Sequence, residues 1–108
     1  MRAAKRLLWW LLAGSAGGFN RARILRELTK TPRNANELAN LLELDYKTTR
    51  HHLDILEKNR LITPIGNKYG VLYFPSELLD KNLHYFKEIC SKIGIKEINN
   101  KNNNGEEK

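Results

Sequence analysis

The chain has one cysteine, three prolines and three histidines among its 108 residues. With Cys90 alone, no thiolate pair can be assembled within one subunit. No set of three or four metal ligands stands at coordinating spacing. His51 and His52 are adjacent, so on a helix they point about 100° apart and are poorly placed to share an ion; His84 is distant in sequence. A site joining His84, Glu88 and Cys90 across a dimer is the alternative, against the simpler reading of His84 as a surface or interface residue and Cys90 as a small buried hydrophobe. There is no glycine-rich phosphate loop and no Ser/His/Asp or Cys/His arrangement with a supporting pattern. We therefore expect neither an enzyme nor a bound metal or cofactor.

Acidic side chains are also scarce. Twelve Asp and Glu face nineteen Lys and Arg, for a formal net charge of +7 and a pI near 9.7. Such an excess suits a polyanionic partner, although DNA, RNA and anionic lipid all answer to the same field. A chain of this length is expected to form one domain with a modest core. A hydrophobic share of 41% suffices for it, provided some surface is buried against a partner.

The informative segment runs from Asn34 to Phe74. Asn34 is placed to cap a helix, with Glu37 three residues on to close a capping box. Leu38, Leu41 and Leu42 follow on one face. After Glu43 and Leu44, Asp45 offers the next N-cap, and no Gly or Pro interrupts Tyr46 to Asn59. With Leu53 at the centre of its buried face, Thr49, Leu56 and Arg60 fall beside it, while Lys47, Thr48, His51, Asp54 and Lys58 point outward. Two short runs, Leu61–Ile65 and Tyr69–Phe74, flank Gly66-Asn67-Lys68 and read as a β-hairpin. Pro64 lacks a ladder donor, so its strand should be an edge.

This order, helix, turn, helix, hairpin, predicts a mainly α fold with a small β-hairpin wing: a winged helix-turn-helix. Double-stranded DNA is the partner it suggests. Lys47, Thr48, Arg50 and His51 are the expected base contacts, at the N-terminal end that such helices bring to base edges. Asp54 and Glu57 lie farther along, away from the groove. Tyr46 is positioned for a phosphate or a thymine methyl, and Arg33, Asn34 and Asn36 for phosphates near the start of the first helix. Asn67 and Lys68, at the expected hairpin tip, would touch phosphate or the neighbouring minor groove.

The stretch from Asn36-Glu37-Leu38-Ala39 through Asp45-Tyr46-Lys47-Thr48-Thr49-Arg50-His51-His52-Leu53 to Arg60-Leu61-Ile62 resembles the winged-helix repressors of the ArsR type, archaeal members above all. The likeness spans roughly residues 20 to 90. It implies a homodimeric, cytoplasmic transcriptional repressor on a palindromic operator, paired mainly through terminal helices. The metal-sensing members carry cysteine-rich ligand sets, which this chain does not have. A winged helix serving a protein or RNA assembly is the competing reading, since fold alone does not settle function.

The N-terminus imitates a secretory signal: Arg2, Lys5 and Arg6, then Leu7 to Ala13, then Gly14-Ser15-Ala16. The apolar run is too short to cross a bilayer, which takes about 20 residues. We read residues 1–13 as a dimerisation helix with Leu8, Trp9 and Leu12 at the interface. A regulator that associates with membrane through this tryptophan-rich helix is the alternative, without stable insertion.

After the small residues to Gly18, Asn20 is expected to cap a helix over Arg21 to Thr29, stapled by Phe19 and Ile24. Its Ile24, Leu25 and Leu28 share a side, and Arg21, Arg23 and Arg26 are expected mostly in solvent, with one of them placed to touch the DNA backbone. Residues 20–74 thus form the DNA-binding core. Residues 75–94 read as one further helix, with Leu79, Leu83, Phe86, Ile89 and Cys90 joining the N-terminal helix in a two-fold interface. Residues 95–108, rich in Asn, Lys and Glu, are expected to be a disordered polar tail.

Overall fold

The computed structural model describes residues 2–67 and 69–95. Six helices and one hairpin follow in order: α1 (Ala3–Leu12), α2 (Gly18–Lys30), α3 (Ala35–Leu42), α4 (Tyr46–Lys58), β1 (Ile62–Asn67), β2 (Gly70–Pro75), α5 (Glu77–Lys81) and α6 (Leu83–Ile93). This is a winged helix-turn-helix, mainly helical with an antiparallel two-stranded wing. Among the described residues no helix is long and apolar enough to cross a membrane.

The start of α3 is fixed by its sequence. Asn34 Oδ1 accepts from the Glu37 N–H at 2.8 Å, and Glu37 Oε1 accepts from the Asn34 N–H at 2.9 Å. Two otherwise orphaned donors are satisfied reciprocally. The buried face of α3 is Ala35, Leu38, Ala39 and Leu42. Leu41, expected on that face, is 49% exposed, because it lies about 110° from the centre of the face that the two alanines complete.

The chain leaves α3 through Glu43 in the left-handed region, φ 56°. The Leu44 N–H then closes onto the Ala39 carbonyl at 2.9 Å, a C-terminal closure that satisfies a late helical acceptor. Asp45 begins α4 at once, its Oδ2 accepting from the Thr48 N–H at 2.9 Å. Thr49, His52, Leu53 and Leu56 are the buried residues of α4. Arg60 does not join them: it stands past the helix end with φ 63°, in solvent.

In the wing, Asn67 pairs with Gly70, so Gly66 and Asn67 lie inside β1 and the tip falls later in the chain than its composition suggested. The Tyr73 N–H turns away from β1 and donates to the Arg33 carbonyl at 2.9 Å. Pro64, opposite Tyr73 in register, therefore occupies a pair without ladder bonds. Its missing N–H falls on the outer edge, where the ladder loses nothing.

Two expectations about α2 are corrected. Asn20 is not its cap; the helix begins at Gly18 after Gly17, whose φ is 82°. A Cβ on Gly18 would collide with the Leu12 carbonyl, so only glycine lets α2 start this close to the end of α1. Asn20, inside the helix, accepts from Arg23 Nη1 at 2.9 Å. Phe19 is 52% exposed while Ile24 is fully buried, so no staple forms between them.

The terminal helices also depart from expectation. Residues 75–94 form two helices, because Asn82, at φ −122° and ψ 24°, breaks the run between α5 and α6. Ser76 caps α5 through its hydroxyl, which accepts from the Leu79 N–H at 3.1 Å. Leu8, Leu12, Leu79, Phe86, Ile89 and Cys90, assigned above to a subunit interface, are at most 2% exposed within the single chain. They form one cluster with Leu53 and Leu56 of α4, Ile24, Leu25 and Leu28 of α2, and Leu38 and Leu42 of α3. The physical reason is economy of apolar surface: α1 packs against both α2 and α6, so the two terminal stripes bury each other and the helix-turn-helix without a partner. Lys5 and Glu88, 3.3 Å apart, bridge α1 and α6 at the rim. Of the expected interface residues, Trp9 at 41% exposure stays open and Leu83 is half-buried.

Candidate nucleic-acid interface

The start of α3, the start of α4 and strand β2 converge on a cleft of about 250 Å³, lined by Asn34, Ala35, Asn36, Tyr46, Arg50, Tyr69, Gly70, Val71 and Tyr73. Four of the residues expected to meet DNA, Asn34, Asn36, Tyr46 and Arg50, thus come together from segments that are apart in sequence. Lys47, Thr48 and His51 are exposed beside them on α4.

Not all of these side chains are equally available. The Thr48 hydroxyl donates to Asp45 Oδ2 at 3.1 Å, which commits it to the cap. The Thr48 N–H and hydroxyl, helped by the charge of Lys47, hold the Asp45 carboxyl below its usual pKa. Arg50 Nη1 donates to the Tyr73 hydroxyl, and Arg50 Nη2 lies 3.5 Å from Asp54 Oδ1. Arg50 is therefore a braced, half-buried cation between α4 and the wing, and Asp54 offsets part of its charge. Lys47 and His51 carry no such ties to the wing.

Arg33 is half-buried, and its Nε is buried without an acceptor among the described residues. Its backbone carbonyl serves the wing through Tyr73. At the tip, Asn67 Oδ1 accepts from the Tyr69 N–H at 2.8 Å, so the Asn67 amide shapes the turn rather than reaching outward. Lys68 lies outside the described residues. Among the cleft residues that sequence reading did not assign to the site are Tyr69, 85% exposed, Val71, and Tyr73, whose ring is buried while its hydroxyl meets Arg50. The usable signal was the period of two along Tyr69, Val71 and Tyr73, which puts them on one face of β2.

Of the three arginines of α2, none is simply solvated. Arg23 Nη2 donates to the Leu42 carbonyl at 2.9 Å, tying α2 to the end of α3. Arg26 lies 3.8 Å from Glu27 Oε2. Arg21 is buried against α1 and α4.

The fold and the placement of these residues define a winged helix-turn-helix with its second helix open to solvent. Residues 20–65 match the family model of a helix-turn-helix domain. Among solved structures, the chain is similar to the transcriptional regulator BldR of Sulfolobus solfataricus, at 18% identity and a TM-score of 0.66, over 86% of this chain and 70% of that one. It is similar also to HlyU of Vibrio cholerae, at 20% identity and a TM-score of 0.61, over 83% and 92% of the two chains. A variant of ZitR of Lactococcus lactis superposes at 16% identity and a TM-score of 0.53, over 70% of this chain; the match spans 57% of ZitR. At these identities the likeness is one of fold. No curated protein sequence matches the chain.

Proposed function

We propose that the chain is a sequence-specific double-stranded DNA-binding transcriptional regulator of the ArsR-like kind, a repressor that binds a palindromic operator as a cytoplasmic homodimer. The observation that carries this reading is the exposed row Lys47, Thr48 and His51 at the N-terminal end of α4, directly beside the cleft that the wing closes. That end of a second helix is the part that enters a major groove. Lys47 and His51 supply a cation and a hydrogen-bonding ring for base edges or phosphates. Arg50, braced by Tyr73, supplies a fixed charge between groove and wing, and Asn34, Asn36 and Tyr46 line the flank.

Pairing through α1 is supported by what the core leaves out. Trp10 and Trp9 are 58% and 41% exposed on neighbouring positions of α1, a large aromatic surface for a monomer to leave in water. A two-fold axis through this face would bring the same patch of each protomer together. The paired reading helices would then address half-sites about one DNA turn, ~34 Å, apart.

Selection of duplexes from a random library tests the reading. Recovered sequences should share a two-fold motif, and Lys47→Ala should lower the slope of log affinity against log salt by about 1 if Lys47 meets a phosphate. Recovery of unrelated sequences, with binding indifferent to Lys47→Ala and His51→Ala, would instead favour a winged helix serving RNA or protein.

A further inference from the structure

Arg21 and His52 are 3% and 5% exposed. Neither touches the cleft. Arg21 Nε donates to the Leu11 carbonyl at 3.0 Å, and its Nη2 donates to Ser15 Oγ at 2.8 Å and to the Ala16 carbonyl at 3.0 Å. Its Nη1 faces His52 Nδ1 at 3.3 Å. One buried cation thus gathers the end of α1, the α1–α2 turn, α2 and the reading helix α4. A guanidinium has donors only, so Nδ1 is the acceptor and the imidazole is neutral, with its proton on Nε2. The turn closes over this ring: a Cβ on Gly17 would stand 2.6 Å from His52 Cε1.

Among the described residues no carboxylate pairs with the ring. Glu27, the one acid of α2, is shared between Arg26 and Lys30. Glu37, the one charged residue of α3, is occupied by the Asn34 cap. β1 carries no charged residue, and neither does the turn of Ala13 to Gly17. On α4 itself the near neighbour is His51, its ring centroid 5.7 Å away, while Asp54 is exposed and paired with Arg50. Among the described residues, the side chains whose charge acts on His52 are Arg21 and His51, and neither is an acid.

We propose that the Arg21–His52 contact is a proton-sensitive seat for the reading helix: α4 stays packed on the α1–α2 turn while His52 is neutral, and protonation unseats it and weakens its hold on DNA. The last step rests on the DNA-binding reading given above; the seat itself does not. Protonation places two cations at hydrogen-bond distance in a site closed to water, where their repulsion is weakly screened. Burial, then Arg21, then His51 hold the His52 pKa below that of a free imidazole. The folded state therefore binds fewer protons than the unfolded one. The stability it contributes is present above the unfolded value of about 6.5 and is lost as pH falls through the lower folded value.

The test compares the full chain with His52→Asn, whose amide oxygen takes the place of Nδ1 without titrating. Urea unfolding between pH 7.5 and 5.0 should show a steeper acid loss of stability in the unaltered chain than in His52→Asn. Imidazole NMR of the unaltered chain should show His52 as the Nε2–H form with a pKa below that of a free imidazole. With a labelled duplex recovered from the random library as probe, affinity should fall between pH 7.5 and 5.5 at least tenfold more in the unaltered chain. His51 is common to both chains. Identical stability profiles, or a His52 protonated on Nδ1 at neutral pH, would overturn the seat. The NMR measurement decides it even if His52→Asn does not fold. Equal loss of duplex affinity in both chains would overturn the link to DNA. A chain that retains no duplex at any pH sinks the DNA reading, while unfolding and NMR still decide the seat.

Discussion

Arg50 on α4 donates a hydrogen bond to the hydroxyl of Tyr73 on the inner strand of the wing, 23 residues away in sequence. Helix and hairpin are thereby joined by a polar link on top of their apolar packing, so their relative angle is set before any ligand arrives. Burial alone would lower the Arg50 pKa, but the Tyr73 oxygen and Asp54 outweigh it and raise the value. The guanidinium therefore keeps its charge beside the Tyr73 hydroxyl.

Tyr73→Phe removes the hydroxyl and leaves the buried ring. The loss should be about 1.5 kcal/mol in denaturant unfolding, the scale of one hydrogen bond to a charged group, with duplex affinity reduced as Arg50 regains its freedom. An unchanged unfolding midpoint would mean that the link carries no net energy.

Glu43 holds a backbone conformation that a side chain disfavours, φ 56°, by about 1 kcal/mol. Glu43→Gly should relieve it and raise the midpoint of thermal unfolding by about 5 °C. Glu43→Ala, which keeps the Cβ, should not. Equal behaviour of the two variants would locate the effect in the charge of Glu43.

The Asp45 carboxyl is held below its ordinary pKa by the N–H and hydroxyl of Thr48. A carboxyl depressed in the folded state contributes stability above its unfolded value of about 3.9 and loses it as pH falls through the lower folded value. Asp45→Asn retains a cap acceptor but no proton to gain. Its unfolding free energy should therefore fall less than that of the unaltered chain below pH 4, measured by urea titration at successive pH values.

Trp10→Glu places a charge on the open face of α1 while leaving Leu8, Leu11 and Leu12 in the core. If this face pairs two protomers, sedimentation should show a shift from dimer to monomer with the helical content unchanged. A monomer before and after the substitution would remove α1 as the pairing element.

The parts of the fold that sequence made legible are those governed by neighbours in the chain. The Asn34–Glu37 box, the Asp45 cap and the buried face through Thr49, Leu53 and Leu56 depend on spacings of three and four, and all stand in the structure. What escaped depends on tertiary approach. Arg21 reads as a solvated arginine until the last turn of α1 comes within reach and offers the Leu11 carbonyl. Asn20 has the residue type of a cap, but the close approach at Gly18 starts the helix earlier. The apolar stripes of α1 and α6 advertise a partner without saying that each is the other's. In the candidate site, the side chains of α4 were legible from periodicity. The bracing of Arg50 was not, because it requires knowing which face of β2 turns toward the helix.

The wing ends in a strand whose outer edge is partly silenced. With the Pro64 nitrogen directed away from β2 and carrying no hydrogen, a foreign strand laid along β1 would find a gap in the row of donors it needs. Copies of this basic chain crowded side by side would thus be discouraged from joining wing to wing, and the hairpin stands as a single, separate finger.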